Sequence, residues 1–175
     1  MRISREADYA IRILLYLSGL EKGERIGAKT IAETMMVPER FNLKILRKLT
    51  VAGMAKSYRG VYGGYALAID SKDISLRDAI ECIDGPIGLN RCLTDETFCF
   101  RHSEEHCPVH SCFTELNERV QQSLGQINFY DLVKQQKSSA ERHANMQVAA
   151  EKKKQPAEPA VFLCLVFVLG TKIKI

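Results

Sequence analysis

The chain has 175 residues, with 25 Lys and Arg against 21 Asp and Glu, a length that gives one or two small domains with a proper hydrophobic core. The charge is uneven: residues 1–70 carry a net +5 and residues 71–137 a net −4, so a polyanion partner is expected at the N-terminal end. Six cysteines would suit a secreted disulfide scaffold. However, Met1-Arg2-Ile3-Ser4 runs into a charged helical pattern without a cleavage signature, so the expectation is a cytoplasmic protein with metal-binding or redox-active thiols.

Ser4 is placed to cap a first helix in which Ala7, Ile11, Leu14 and Leu17 recur at helical spacing up to Gly19. After a turn at Glu21-Lys-Gly-Glu, the pattern predicts a short helix from Ala28 to Met35, with Ile31, Ala32 and Met35 inward. Pro38 suits the first turn of a third helix, Glu39 favours its dipole, and Gly53 stops it. Phe41, Ile45, Leu49 and Ala52 form its expected apolar stripe. Two short helices joined by a tight turn, the second carrying Arg40, Lys44, Arg47 and Lys48, make a helix-turn-helix pattern.

Two strand-like runs follow, Met54–Tyr58 and Tyr65–Ile69, around the glycine-rich turn Arg59-Gly60-Val-Tyr62-Gly63-Gly64. A hairpin after three helices predicts a wing. Ser75-Leu-Arg-Asp78 is a capping box for a fourth helix through Ala79, Ile80 and Ile83, closed by Gly85-Pro86.

Between Cys92 and Cys112 lie four of the six cysteines and three of the four histidines, without apolar periodicity. That composition on a loop suits a soft metal, as zinc or as iron–sulfur iron. Paired C-x-x-C knuckles of the zinc type are absent, and the Cys107-Pro108 step is of the kind found in ferredoxin runs, which favours iron–sulfur. Cys82 falls in a helical pattern and reads as core, Cys164 as packing in an apolar tail, and Cys112 as a spare ligand or the start of the next helix.

From about Phe113 a long amphipathic helix shows Phe113, Leu116, Val120, Leu124 and Ile127 at steps of three and four. Such a stripe outside a small domain needs a partner surface, and a second copy is the expected one. Beyond Gln135 the chain turns polar, with a loose or frayed helix and linker expected. Val161 to Leu169 is apolar but too short to span a bilayer.

The combination of motifs resembles the Rrf-type winged-helix regulators, the family of IscR and NsrR. The residues that carry it are Glu6-x-Asp8-Tyr9-Ala10, Leu49-x-x-x-Gly53, and Ser57-Tyr58-Arg59-Gly60-x-x-Gly63-Gly64-Tyr65-x-Leu67. To these are added Cys92…Cys99…Cys107-x-x-His110 and Asp131-Leu132-Val133. The resemblance covers residues 1 to about 135. It implies a homodimeric transcription factor that holds a 2Fe–2S or 4Fe–4S cluster through Cys92, Cys99 and Cys107. Its cysteine spacings, six and then seven intervening residues, are slightly longer than the family's usual ones. At the position of the acidic residue that tunes DNA choice in IscR stands Leu43, so promoter preference does not transfer. Two residues compete as fourth ligand. His110, three residues after Cys107, follows the IscR pattern and is favoured as the softer donor. Asp8 matches the NsrR pattern, in which a carboxylate of the partner chain completes the site; its plainer role is a salt bridge to Arg5 or Arg12.

The expected architecture is therefore mainly α with a small β wing. Residues 1–85 form a winged helix-turn-helix domain, 86–112 a cysteine-rich cluster-binding loop, 113–137 a dimerisation helix and 138–175 a tail. Duplex DNA is expected to meet Arg40, Phe41, Lys44 and Arg47 on the reading helix, and Lys56, Arg59 and Tyr62 on the wing. The leading function is a cluster-bearing regulator of transcription, without a membrane segment. Its rivals are a cluster-free regulator of the same fold, of the cysteine-metabolism repressor type, and one with structural zinc. An enzyme is not expected, because no nucleophile–base pair or phosphate loop is visible.

Overall fold

The computed structural model describes residues 3–95, 98 and 107–154. Cys99, His102, His106 and the apolar tail with Cys164 lie outside the described residues. The chain divides into residues 1–137 and 138–175. In the second part the described backbone is helical as far as Lys154, where the sequence predicts a looser helix and linker, and Arg142 bonds back to the Ser138 carbonyl at 3.1 Å.

Helix α1 (Arg5–Gly19) starts where its cap dictates, since the Ser4 hydroxyl accepts from the Ala7 amide at 3.1 Å. It buries Ala7, Leu14 and Leu17 as expected, with Ala10 and Ile13 beside them, so that Ile11 lies half-buried at the edge of the inner face. Helix α2 (Ala28–Thr34) buries Ile31 and Ala32. Its turn into α3 (Glu39–Val51) passes through Met36 at φ +52°, a left-handed position that the sequence does not mark with glycine. Along α3, Asn42, Ile45, Leu46 and Leu49 are buried, Phe41 is half-buried and Ala52 is exposed. Ile45 and Leu49 thus lie inward as expected, while Asn42 and Leu46 take the buried places expected for Phe41 and Ala52. Asn42 is inside because its Nδ2 donates to the Ala28 carbonyl at 2.6 Å, tying the two helices of the motif together.

Strands β1 (Ala55–Tyr58) and β2 (Gly64–Leu67) pair antiparallel, with Ala55 opposite Leu67 and Tyr58 opposite Gly64. Residue 26 adds a third edge: Ile26 and Tyr65 exchange backbone hydrogen bonds of 3.0 and 2.8 Å. Only glycine allows this approach, since a Cβ on Gly64 would lie 2.7 Å from the Ile26 carbonyl oxygen.

Helix α4 (Leu76–Asp84) opens on the reciprocal Ser75–Asp78 capping box and packs on α1. Its last carboxylate, Asp84, accepts from the Ser4 amide at 2.9 Å and from the Ser4 hydroxyl, which locks the end of α4 to the start of α1. Helix α5 (Pro108–Gln126) begins at Pro108 rather than near Phe113, with Cys107 as its N-cap. The long helix expected over residues 113–137 is interrupted at Ile127-Asn128, and α6 (Phe129–Lys154) follows. The break has a cause. Leu76 N donates to the Ile127 carbonyl, Phe129 N donates to the Ile74 carbonyl, and Phe129 is wholly buried among α1, α3 and α4 residues. Burying that ring is worth about 2–3 kcal/mol, more than one turn of continuous helix. No helix among the described residues is long and apolar enough to cross a membrane.

Candidate nucleic-acid interface and thiol loop

The buried face of α3 leaves Arg40, Leu43, Lys44, Arg47 and Val51 facing solvent. Arg40 lies over the Phe41 ring, 4.9 Å from its centroid, and Phe41 packs on Tyr9 of α1 at 5.9 Å. Phe41 thus anchors the helix and steadies Arg40. The two lysines are held from below. Glu6 of α1 accepts from Lys44 at 2.6 Å and from Lys48 at 3.2 Å, and Lys48 also donates to the Ile83 carbonyl of α4 at 3.3 Å. The Lys44 hydrogen bond, with help from Lys48 and against the opposing effect of burial, holds the Glu6 carboxyl below the ordinary range. Lys48 is thus a strut between three helices.

On the wing, Lys56, Arg59 and Tyr62 are exposed. Arg25, which the sequence reading passed over, joins them: its guanidinium lies 3.8 Å from the Tyr58 ring centre, with Lys56 Nζ at 5.5 Å from the same ring. The only local signal was an extended Arg25-Ile26 pair between two glycines, and it names no partner.

The thiol loop leaves α4 at Gly85-Pro86 and is fastened to α5. Asn117, nine-tenths buried, donates to the Ile87 carbonyl at 3.1 Å and accepts from the Leu89 amide at 3.1 Å; Gln121 donates to the same carbonyl at 3.0 Å. A 3-10 turn at Arg91–Leu93, capped by Asn90, carries half-buried Cys92 and packs on α5. At the N-terminus of that helix, Cys107 Sγ accepts from the His110 amide at 3.4 Å.

His110 is on the helix, not on the loop, and its Nδ1 is buried with no hydrogen-bond partner among the described residues. Cys112 is exposed on the same helix. Cys82, on α4, is half-buried as expected of a core thiol, and burial pushes its pKa up against the opposing charge of Lys48. Asp8 is bonded to Arg12 at 2.7 Å, one turn along α1. Among the described residues no three of His, Cys, Asp and Glu gather as a group able to hold an ion.

Residues 3–135 match the family described as Rrf2, iron-dependent transcriptional regulator. Two Mycobacterium tuberculosis proteins named as HTH-type transcriptional regulators are 36% identical over 87 residues, half of this chain, and the chain spans only 54% of their length. The regulator CymR of Bacillus subtilis is 33% identical over 96 residues, 55% of this chain and 70% of CymR. Its solved structure, titled as that of the global cysteine regulator, superposes with a TM-score of 0.64 at 26% identity over 77% of this chain and 97% of that one. NsrR of the same bacterium is 27% identical over 140 residues, 77% of this chain and 91% of NsrR.

Proposed function

The chain belongs to the Rrf2 family of transcriptional regulators, and from that premise we propose that it is a DNA-binding regulator whose promoter occupancy follows an iron–sulfur cluster held by Cys92, Cys99 and Cys107, with His110 as fourth ligand. The observation that supports the ligand set is the buried Nδ1 of His110, which has no hydrogen-bond partner among the described residues and lies within one turn of the Cys107 thiol. A buried imidazole nitrogen without a partner is costly, and a metal ion is one way to satisfy it. Cys107 caps the N-terminus of α5, and the Cys92 turn packs on the same helix. A bound cluster supplies electron exchange and reactivity towards oxidants and nitric oxide.

The residues between loop and reading helix form a short mechanical path. Asp84 holds Ser4, Lys48 holds the Ile83 carbonyl, and Glu6 gathers Lys48 and Lys44. A change in the loop that moves the end of α4 is therefore felt at the base of α3. Duplex DNA meets Arg40, Lys44 and Arg47 in the major groove and Lys56, Arg59 and Tyr62 at the wing. A second copy covers the apolar stripe of α5 and gives one reading helix per half-site.

The rival reading, a cluster-free regulator of cysteine metabolism, has its own support in the similarity to CymR. Anaerobic purification separates the two. Visible absorption with stoichiometric iron and sulfide supports the cluster; a colourless protein that binds duplex DNA supports the rival.

A further inference from the structure

The reading helix accounts for only part of the cationic surface. Arg25 precedes α2 and lies outside both the helix-turn-helix and the hairpin in sequence, but the Ile26–Tyr65 bridge brings it alongside the wing. Gly64, paired with Tyr58 in the register and abutting Ile26, offers no side chain between them. The Arg25 guanidinium lies 3.8 Å from the Tyr58 ring centre, while Lys56 Nζ stands 5.5 Å from the same centre. Neither cation forms a salt bridge among the described residues, and the carboxylate next to Arg25, Glu24, is engaged with the Glu21 amide at 3.0 Å.

Two cations against one ring, with no carboxylate partner among the described residues, leave a local excess of positive charge that an anion relieves. A guanidinium held against a ring keeps its N–H donors, which form the planar fork that takes a phosphate oxygen pair. Because the side chain is already ordered, little conformational freedom is lost on binding. We propose that Arg25, laid on Tyr58 and flanked by Lys56, is a further DNA-binding residue that clamps a backbone phosphate beside the wing. It positions the protein on the duplex and carries no base preference of its own.

This proposal rests on the DNA-binding reading above. The test uses the full chain with a duplex selected by it from a random pool and a scrambled duplex of equal length, between about 50 and 200 mM salt. Arg25→Gln should weaken binding to both duplexes by a similar factor, roughly three- to tenfold, and lower the slope of log affinity against log salt by about one. Arg25→Lys, which keeps the charge but loses the planar stack, should restore the slope and only part of the affinity. Unchanged affinity and slope in Arg25→Gln would overturn the proposal, as would a loss confined to the selected duplex. If the unmodified chain binds neither duplex, the DNA-binding reading itself fails and the clamp falls with it.

Discussion

Lys44, on the solvent face of the reading helix, donates to the Glu6 carboxylate of α1 at 2.6 Å. The pair, with Lys48 as its second arm, fixes one cation while leaving Arg40 and Arg47 without carboxylate partners among the described residues. Because the folded-state pKa of Glu6 is depressed, its contribution is present above the ordinary carboxylate range and is lost as pH falls through the folded value. Glu6→Gln is therefore expected to cost about 0.5–1 kcal/mol at neutral pH, scaled for a partly exposed pair, and little in strong acid. Denaturant titrations of both proteins at the two pH values test this; a deficit that persists unchanged into acid assigns the effect to packing instead.

A second expectation concerns Gly64. At φ +147° and with the Ile26 carbonyl 2.7 Å from a would-be Cβ, Gly64→Ala meets both strain and backbone contact. A loss of roughly 2–4 kcal/mol is expected, together with release of the Arg25 strand. Gly23, at φ +89° with nothing within 4 Å, is the control: Gly23→Ala suffers strain alone, about 1–2 kcal/mol. Thermal melts that rank the two the other way exclude the close-approach argument.

What could be read in advance was local. Ser4, Ser75–Asp78 and Gly53 set helix ends within a few residues of themselves, and the chain alone reveals them. What could not be read depended on residues far apart. Asn42 has a polar side chain with no sequence hint of the Ala28 carbonyl that takes it inside. Phe129 falls inside the stretch that reads as one long helix, yet pairing with residues 74–76 breaks the helix and sends the ring into the core of the winged domain. The density of thiols around Pro108 suggests loop up to Cys112, whereas the helix starts at Pro108 and takes in His110 and Cys112.

The stripe on α5 yields a third expectation. Leu116 and Ile127 are 46% and 39% exposed in the single chain, beside half-buried Phe113, Val120 and Leu124. A second copy covers them in the proposed regulator, so Leu116→Glu should give monomers in sedimentation at micromolar concentration while the winged domain keeps its helical content. A monomeric unmodified chain would rule the arrangement out.

For the thiols, single alanine changes at Cys92, Cys99 and Cys107 are each expected to abolish visible absorption in anaerobically purified protein, while Cys82→Ala retains it. The reason is placement: Cys82 is half-buried beside Lys48 on α4, away from the loop. Full absorption in Cys107→Ala would exclude the thiol at the α5 cap.

The last expectation decides between His110 and Asp8 as the remaining ligand. Asp8 is already satisfied, since its carboxylate meets Arg12 at 2.7 Å on the surface of α1. The buried Nδ1 of His110 has no hydrogen-bond partner among the described residues, and its backbone amide already points at Cys107 Sγ. Ligation by Asp8 would cost an existing ion pair, whereas ligation by His110 would satisfy an orphaned nitrogen. His110→Ala should therefore shift the cluster spectrum and hasten its loss in air, and Asp8→Ala should leave both unchanged. Asp8→Ala should cost at most about 0.5 kcal/mol of stability, the worth of an exposed pair one helical turn apart. The opposite pattern, a spectrum disturbed only by Asp8→Ala together with DNA binding that no longer responds to cluster loss, would transfer the ligand to α1. It would also make the first helix the direct link between the cluster and the reading head.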